Sequence, residues 1–291
     1  MHMITEESSA LLGAADIRRI AASTGINPTK RFGQNFVVDP GTVRRIARLG
    51  GLGTDSHVIE VGPGLGSLTL ALLETGARVL AVEIDPRLAD LLPSTVRAQM
   101  PQAMSRFQLI REDALQLASD QVEEVFGSPL PQLTLMSNLP YNVATPIILT
   151  LLERFPSLAS FTVMVQKEVA DRLTAQPGSK IYGVPSVKLA WYGQAKPAGI
   201  VGASVFWPAP HVDSALVAFT RYSKGQGPQA DLRERTFALV DAAFSQRRKT
   251  LHAALKKMVP TAAFEKAGID PTRRGETLTM EEFTRLASAW R

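Results

Sequence analysis

The chain has 291 residues, 45% hydrophobic and 20% charged, a globular composition that sets aside disordered and fibrous classes. It contains no cysteine, which excludes disulfides, thiolate zinc sites and cysteine nucleophiles, including the covalent route for methylating pyrimidine ring carbons. Lys and Arg number 32 against 27 Asp and Glu, a net charge of +5 that leans weakly towards a polyanionic partner.

The length suits one large domain plus a small one. Four histidines stand singly (His2, His57, His211, His252), so no metal site is expected. No apolar run approaches the ~18 residues of a membrane span. The first residues have neither the basic flank nor the apolar centre of a signal peptide, so the expected location is cytoplasmic.

Residues 14–23 read as a short helix, followed by a polar break at residues 25–28 and a basic loop, Lys30-Arg31-Phe32-Gly33-Gln34-Asn35-Phe36. Pro40 opens a helix through residue 49, with Asp39 as its N-cap. From residue 57 strands and helices alternate. Strands are predicted at 57–61, 78–84, 107–111, 133–136 and 161–166, and helices at 67–75, 86–99, 144–154 and 167–173. Near-continuously apolar strands in such alternation predict a parallel sheet covered on both faces. Residues 198–206 and 212–222 look like a strand pair closing its edge. Residues 223–230 have linker composition, and the remainder is helical to the end. The reading is therefore an α/β domain over 1–224 and a smaller all-helical domain over 225–291.

Val58-Ile59-Glu60-Val61-Gly62-Pro63-Gly64-Leu65-Gly66-Ser67 is strand, glycine turn, then helix, letting the backbone approach a ligand closely. Glu83 ends the next strand, where its two oxygens can take both hydroxyls of an adenosine ribose. Asp113 follows the third strand, placed to accept from an adenine amine. The turn with Glu83 points to an adenosine cofactor, either a dinucleotide or S-adenosylmethionine (SAM). Two details favour SAM: the glycine spacing is not the pyrophosphate-binding one, and Glu60 just ahead of it suits a cation better than a phosphate.

Asn138-Leu139-Pro140-Tyr141 stands where the strand at 133–136 runs out, the edge at which open α/β sheets bind ligands. Asn Oδ1 and a backbone carbonyl can accept the two hydrogens of an exocyclic amine, while the Tyr ring stacks on the base. A strand-end turn with a core Tyr is the plainer alternative. Arg247, Arg248 and Lys249, with Lys256 and Lys257 about two turns on and Arg273 and Arg274 beyond, put cations on the small domain. Such a run is either a solvated face or a phosphate track.

Taken together, these residues resemble the KsgA-type small-subunit rRNA adenine N6,N6-dimethyltransferases along nearly the whole chain. The matching segments are Lys30–Phe36, Glu60–Gly66, Val82–Asp85, Glu112–Ala114, Asn138–Asn142, Gln166–Val169, Tyr182–Val187, Phe206–Ser214 and Phe244–Thr250. The resemblance implies a Rossmann-like SAM-dependent methyltransferase sheet with a helical RNA-binding domain. It implies that Asn35 and Val37 close over SAM, that Gly62 and Gly64 form its turn, that Glu83 holds the ribose and that Asp113 meets the adenine. Asn138 then stands between cofactor and target base. Leu139 and Pro140 supply backbone carbonyls, and Tyr141 and Phe206 sandwich the flipped adenine. Lys30, Arg31, Arg247, Arg248, Lys249 and Lys256 would carry RNA. The implied target is two adjacent adenosines near the 3′ end of 16S rRNA in an immature small ribosomal subunit, each dimethylated by a monomeric enzyme. His211 stands where many relatives carry Lys, which weakens any phosphate contact there. A large-subunit rRNA adenine methyltransferase of the antibiotic-resistance type, a mainly non-catalytic ribosome-assembly factor and an NAD-linked oxidoreductase remain alternatives.

Overall fold

In the computed structural model, residues 10–26 and 35–290 are described. They open with α1 (Ala14–Thr24), the two-residue strand β1 (Phe36–Val37) and α2 (Pro40–Leu49). Asp39 caps α2 by accepting the Thr42 backbone N–H at 2.7 Å, with Pro40 in the first turn, as the sequence suggested.

The alternating region begins with β2 (His57–Val61), α3 (Ser67–Glu74), β3 (Arg78–Glu83), α4 (Pro86–Gln99), β4 (Phe107–Arg111) and α5 (Ser119–Phe126). It continues through β5 (Leu133–Asn138), α6 (Ala144–Arg154), β6 (Leu158–Gln166), α7 (Lys167–Leu173) and α8 (Val184–Ala190). Then come β7 (Gly193–Val201), β8 (Phe206–Trp207) and β9 (Ser214–Arg221). A seven-stranded sheet runs in the order β4-β3-β2-β5-β6-β9-β7, with β2 parallel to β3 and β5, β4 parallel to β3, and β6 parallel to β5. Four of the five residues of β2 and five of the six of β3 are buried, which is why both read as largely apolar runs, broken only by the buried acids Glu60 in β2 and Glu83 at the end of β3.

Four features differ from the sequence-based expectation, the simplest being that β6 begins at Leu158, three residues before the expected strand. Strand β5 continues two residues beyond Met136, so Asn138 belongs to the strand itself. Helices α5 and α8 form in stretches with no assigned element. The edge is not a simple pair of strands at 198–206 and 212–222. Strand β7 stops at Val201, and Phe206–Trp207 pairs antiparallel with Phe36–Val37 in a separate two-stranded ribbon. Gly202 and the short turn at Ala203–Val205 redirect the chain.

By its contacts the chain divides into two compact units, Met1–Lys167 with Ala198–Ala218, and Glu168–Pro197 with Phe219–Arg291. The second unit thus joins α7 and α8 to α9 (Arg233–Ser245), α10 (Leu251–Leu255), α11 (Thr261–Ala267) and α12 (Met280–Ala289). Its core packs Tyr182, Phe244 and Phe283 ring against ring, and the Tyr182 hydroxyl donates to the Leu278 carbonyl at 2.9 Å. Among the described residues no helix is long and apolar enough to cross a membrane.

Candidate active site

In the first unit a cavity of about 230 Å³ opens at the C-terminal ends of β2, β3 and β5. Between β2 and β5 the strand order reverses direction, the position at which an open parallel sheet leaves a crevice. The glycine turn forms its floor. Gly62 and Gly64 have φ of 66° and 59°, a left-handed backbone that favours glycine. A Cβ on Gly64 would sit 3.0 Å from Phe36 Cδ1, and one on Gly62 would meet the Pro140 ring at 3.6 Å. Asn35 and Val37 line the wall, and the Val37 carbonyl accepts from Ser67 Oγ at 2.7 Å.

Two carboxylates face this space. Glu83 accepts the backbone N–H of Asp85 at 2.9 Å and that of Gly64 at 3.3 Å, and burial raises its carboxyl above the usual range. Glu60, only 1% exposed, accepts from Thr69 Oγ1 at 2.7 Å. Burial pushes its carboxyl up to about 8, and the neighbouring Glu83 adds to the shift. Two acids in one dry wall suit a cationic ligand and oppose a pyrophosphate. Asp113 also lines the cavity, its Oδ1 held by the Leu115 N–H at 2.9 Å. Ile84, directly after Glu83, stays 49% exposed at the rim and was not singled out from the sequence. Its place beside the strand-end acid was the available signal.

Asn138 Nδ2 donates to the Asn35 carbonyl at 3.2 Å, which turns its other amide atom the opposite way. That atom, Oδ1, is buried and has no hydrogen-bond partner among the described residues. An unsatisfied buried acceptor costs roughly 1–3 kcal/mol, which a ligand's N–H would recover. The Leu139 N–H is spent on the Met164 carbonyl at 3.0 Å, and the Pro140 carbonyl accepts from the Val143 N–H at 3.2 Å. The Leu139 carbonyl is therefore the better second acceptor. Tyr141 lines the cavity with its hydroxyl 2.8 Å from Ser214 Oγ, and burial raises its phenol so that the ring is neutral.

Phe206 departs from expectation. It is 4% exposed, packed in the core in register with Val37, and does not line the cavity beside Tyr141. The ribbon it forms with residues 36–37 turns its ring inward.

Lys30 and Arg31 fall outside the described residues. In the second unit the expected helical track proves to be two turns. Residues 246–249 come after α9, ended where Thr250 caps α10 by accepting the Ala253 N–H, and residues 256–259 come after α10. Arg248, Lys249 and Lys256 are exposed. Arg247 is tied down, its Nε 2.7 Å from Glu276 Oε2 and its Nη2 donating to the Lys180 carbonyl at 2.6 Å.

Comparison with known proteins agrees with this layout. The family model for ribosomal RNA adenine dimethylase matches residues 25–290. Ribosomal RNA small subunit methyltransferase A of Bifidobacterium adolescentis is 65% identical over 96% of this chain and 94% of its own length. The protein of the same name from Streptomyces griseus is 55% identical over 98% and 97%. Among solved structures, the 23S rRNA methyltransferase ErmE superposes with a TM-score of 0.66 at 25% identity, over 88% of this chain and 99% of its own. A dimethyladenosine transferase from Plasmodium falciparum shares the fold with a TM-score of 0.69 at 21% identity, over 86% and 95%. With a family match over residues 25–290 and a relative 65% identical across 96% of its length, the chain belongs to the ribosomal RNA adenine dimethylase family.

Proposed function

We propose that this protein transfers methyl groups from SAM to N6 of two adjacent adenosines near the 3′ end of 16S rRNA. The substrate is the immature small ribosomal subunit in the cytoplasm, the protein acts as a monomer, and the modification belongs to ribosome biogenesis. The single observation that carries this reading is the unpaired, buried Oδ1 of Asn138 at a cavity wall shared with Tyr141, in a member of the rRNA adenine dimethylase family.

The residues present fit the cofactor. Glu83 would take the ribose hydroxyls, Asp113 would meet the adenine amine, Gly62 and Gly64 would allow the close backbone approach, and Glu60 lies where a positive group would be welcome. When bound, SAM supplies an activated methyl group on a positively charged sulfur.

An adenine amine is a poor nucleophile because its lone pair is delocalised into the ring. Asn138 Oδ1 and the Leu139 carbonyl accept its two hydrogens, drawing the nitrogen towards tetrahedral geometry and freeing the lone pair for attack. Tyr141 stacks on the base, contributing about 1–3 kcal/mol against the cost of unstacking it from RNA. A matching stack by Phe206 would require its ring to leave the core. Positioning does most of the work, up to roughly 7–11 kcal/mol in favourable cases. As N6 gains its methyl group it becomes positive, and the two neutral acceptors stabilise that charge. The nitrogen then releases a proton to water, so no strong base is needed; a second cycle removes the remaining hydrogen.

For RNA, Arg248, Lys249 and Lys256 offer exposed charge for phosphates, and Lys30 and Arg31 join them by their place in the basic loop. The experiment is radiolabelled methyl transfer to unmethylated small subunits, with nucleoside analysis and primer extension. Expected is N6,N6-dimethyladenosine at two neighbouring positions, lost in Asn138→Ala while SAM affinity stays within several-fold. Product on large-subunit RNA would favour the antibiotic-resistance type, and no product with intact binding would favour an assembly factor.

A further inference from the structure

We propose that Ser137 is a positioning residue for methyl transfer, its hydroxyl fastening the strand tip that carries Asn138 to the backbone that opens the glycine turn. The inference rests on the reading of this cavity as a methyl-transfer site.

The two neighbours of β5 treat its tip differently. Against β6 the register runs on through Ser137↔Val163 and Asn138↔Met164, and the Leu139 N–H still bonds the Met164 carbonyl. Against β2 the register ends at Ile59↔Leu135, two residues short of Ser137. Between these strands the sheet must part for a ligand to enter. Beyond the end of that ladder the Ser137 hydroxyl donates to the Val61 carbonyl, the residue before Gly62. Ser137 is fully buried, so this bond is shielded from water, and its loss would strand the Val61 carbonyl. A second tie lies close by, where the Pro140 ring packs over Gly62.

The consequence concerns geometry between two bound molecules. The glycine turn belongs to the cofactor side and Asn138 to the base side, so their spacing sets the distance between methyl donor and acceptor. Among the described residues, the contacts found across that gap are made by side chains, the Ser137 hydroxyl and the Pro140 ring. Ser137 touches neither reactant, and its effect is transmitted through Asn138 and Gly62.

The test compares wild type, Ser137→Ala and Ser137→Thr in single-turnover methyl transfer to unmethylated small subunits, with SAM affinity by calorimetry and thermal midpoints. For Ser137→Ala the transfer rate is expected to fall about tenfold with SAM affinity within about threefold, since misplacement of well under 1 Å is costly. Monomethyladenosine should accumulate, because the second transfer has one N–H fewer to orient the amine. Ser137→Thr keeps the hydroxyl and should recover most of the rate. Ser137→Ala turning over at the wild-type rate, or losing rate and SAM affinity in parallel, overturns the proposal; so does a folded Ser137→Thr no better than Ala. Should Thr not fold, the rate and affinity of the Ala variant decide alone. An inactive wild type would instead count against the methyl-transfer reading.

Discussion

Glu60→Gln removes an ionisable group from a buried part of the cavity wall while keeping the shape and an acceptor for Thr69 Oγ1. Burial first, then Glu83, lifts the Glu60 carboxyl from 4.5 to about 8 in the folded state. At about 1.36 kcal/mol per unit, that rise of about 3.5 units makes an ionised Glu60 about 5 kcal/mol dearer folded than unfolded. Proton counts set the sign. Between pH 4.5 and 8 the folded chain holds a proton that the unfolded chain has released, so raising the pH destabilises the fold. At pH 7 the handicap is about 3 kcal/mol, at pH 5 it is small, and above pH 8 it levels off. Gln carries no such handicap. Thermal midpoints measured from pH 5 to 8.5 should therefore coincide at the acid end and separate by several degrees at the alkaline end, with the variant more stable. Calorimetry of SAM binding near pH 7, in buffers of different ionisation enthalpy, should show protons released by wild type and fewer by the variant, because a cationic ligand restores the ionised form. A midpoint difference that is the same at every pH, or a variant less stable at pH 8, would refute the reasoning.

Gly64→Ala forces a side chain onto a left-handed backbone and against the Phe36 ring, so we expect a cost of about 1–2 kcal/mol and at least tenfold weaker SAM binding. Melting and calorimetry check both, and wild-type affinity would show that the turn yields. The two arginines of the turn at residues 246–249 should behave unlike one another. Arg248→Ala should lower the salt slope of RNA binding by roughly 0.7–0.9 log units per decade and leave the melting curve alone. Arg247→Ala, which breaks the bonds to Glu276 and the Lys180 carbonyl, should lower the midpoint by about 1 kcal/mol equivalent. Identical salt slopes for the Arg248 variant and wild type would remove that residue from the phosphate track.

The α/β architecture and most element positions were legible because their signals are local. Asp39-Pro40 starts a helix by capping chemistry acting over three residues, and the apolar runs of β2 and β3 reflect burial on both faces. The glycine turn, Glu83 and the Asn-Leu-Pro-Tyr strand end were legible for the same reason, each being a short pattern at a strand terminus. The breaks in prediction fell where local and distant preferences compete. Phe206 looked like the end of a long edge strand, yet it pairs with Val37, far earlier in the chain, and is drawn into the core. Arg247 looked like one cation of a run, but Glu276, 29 residues on, claims it.

What the sequence by itself determined is the set of elements and the residue types presented at their ends, since helix period, strand period, caps and glycine freedom are encoded within a few positions. Tertiary structure alone decided which groups meet. Asn35 lies 103 residues from Asn138 and orients its amide; Val61 lies 76 residues from Ser137 and receives its hydroxyl. Neither contact leaves a trace in local pattern, because a hydrogen bond across a sheet depends on register and strand order, and those are settled by burial of the whole core.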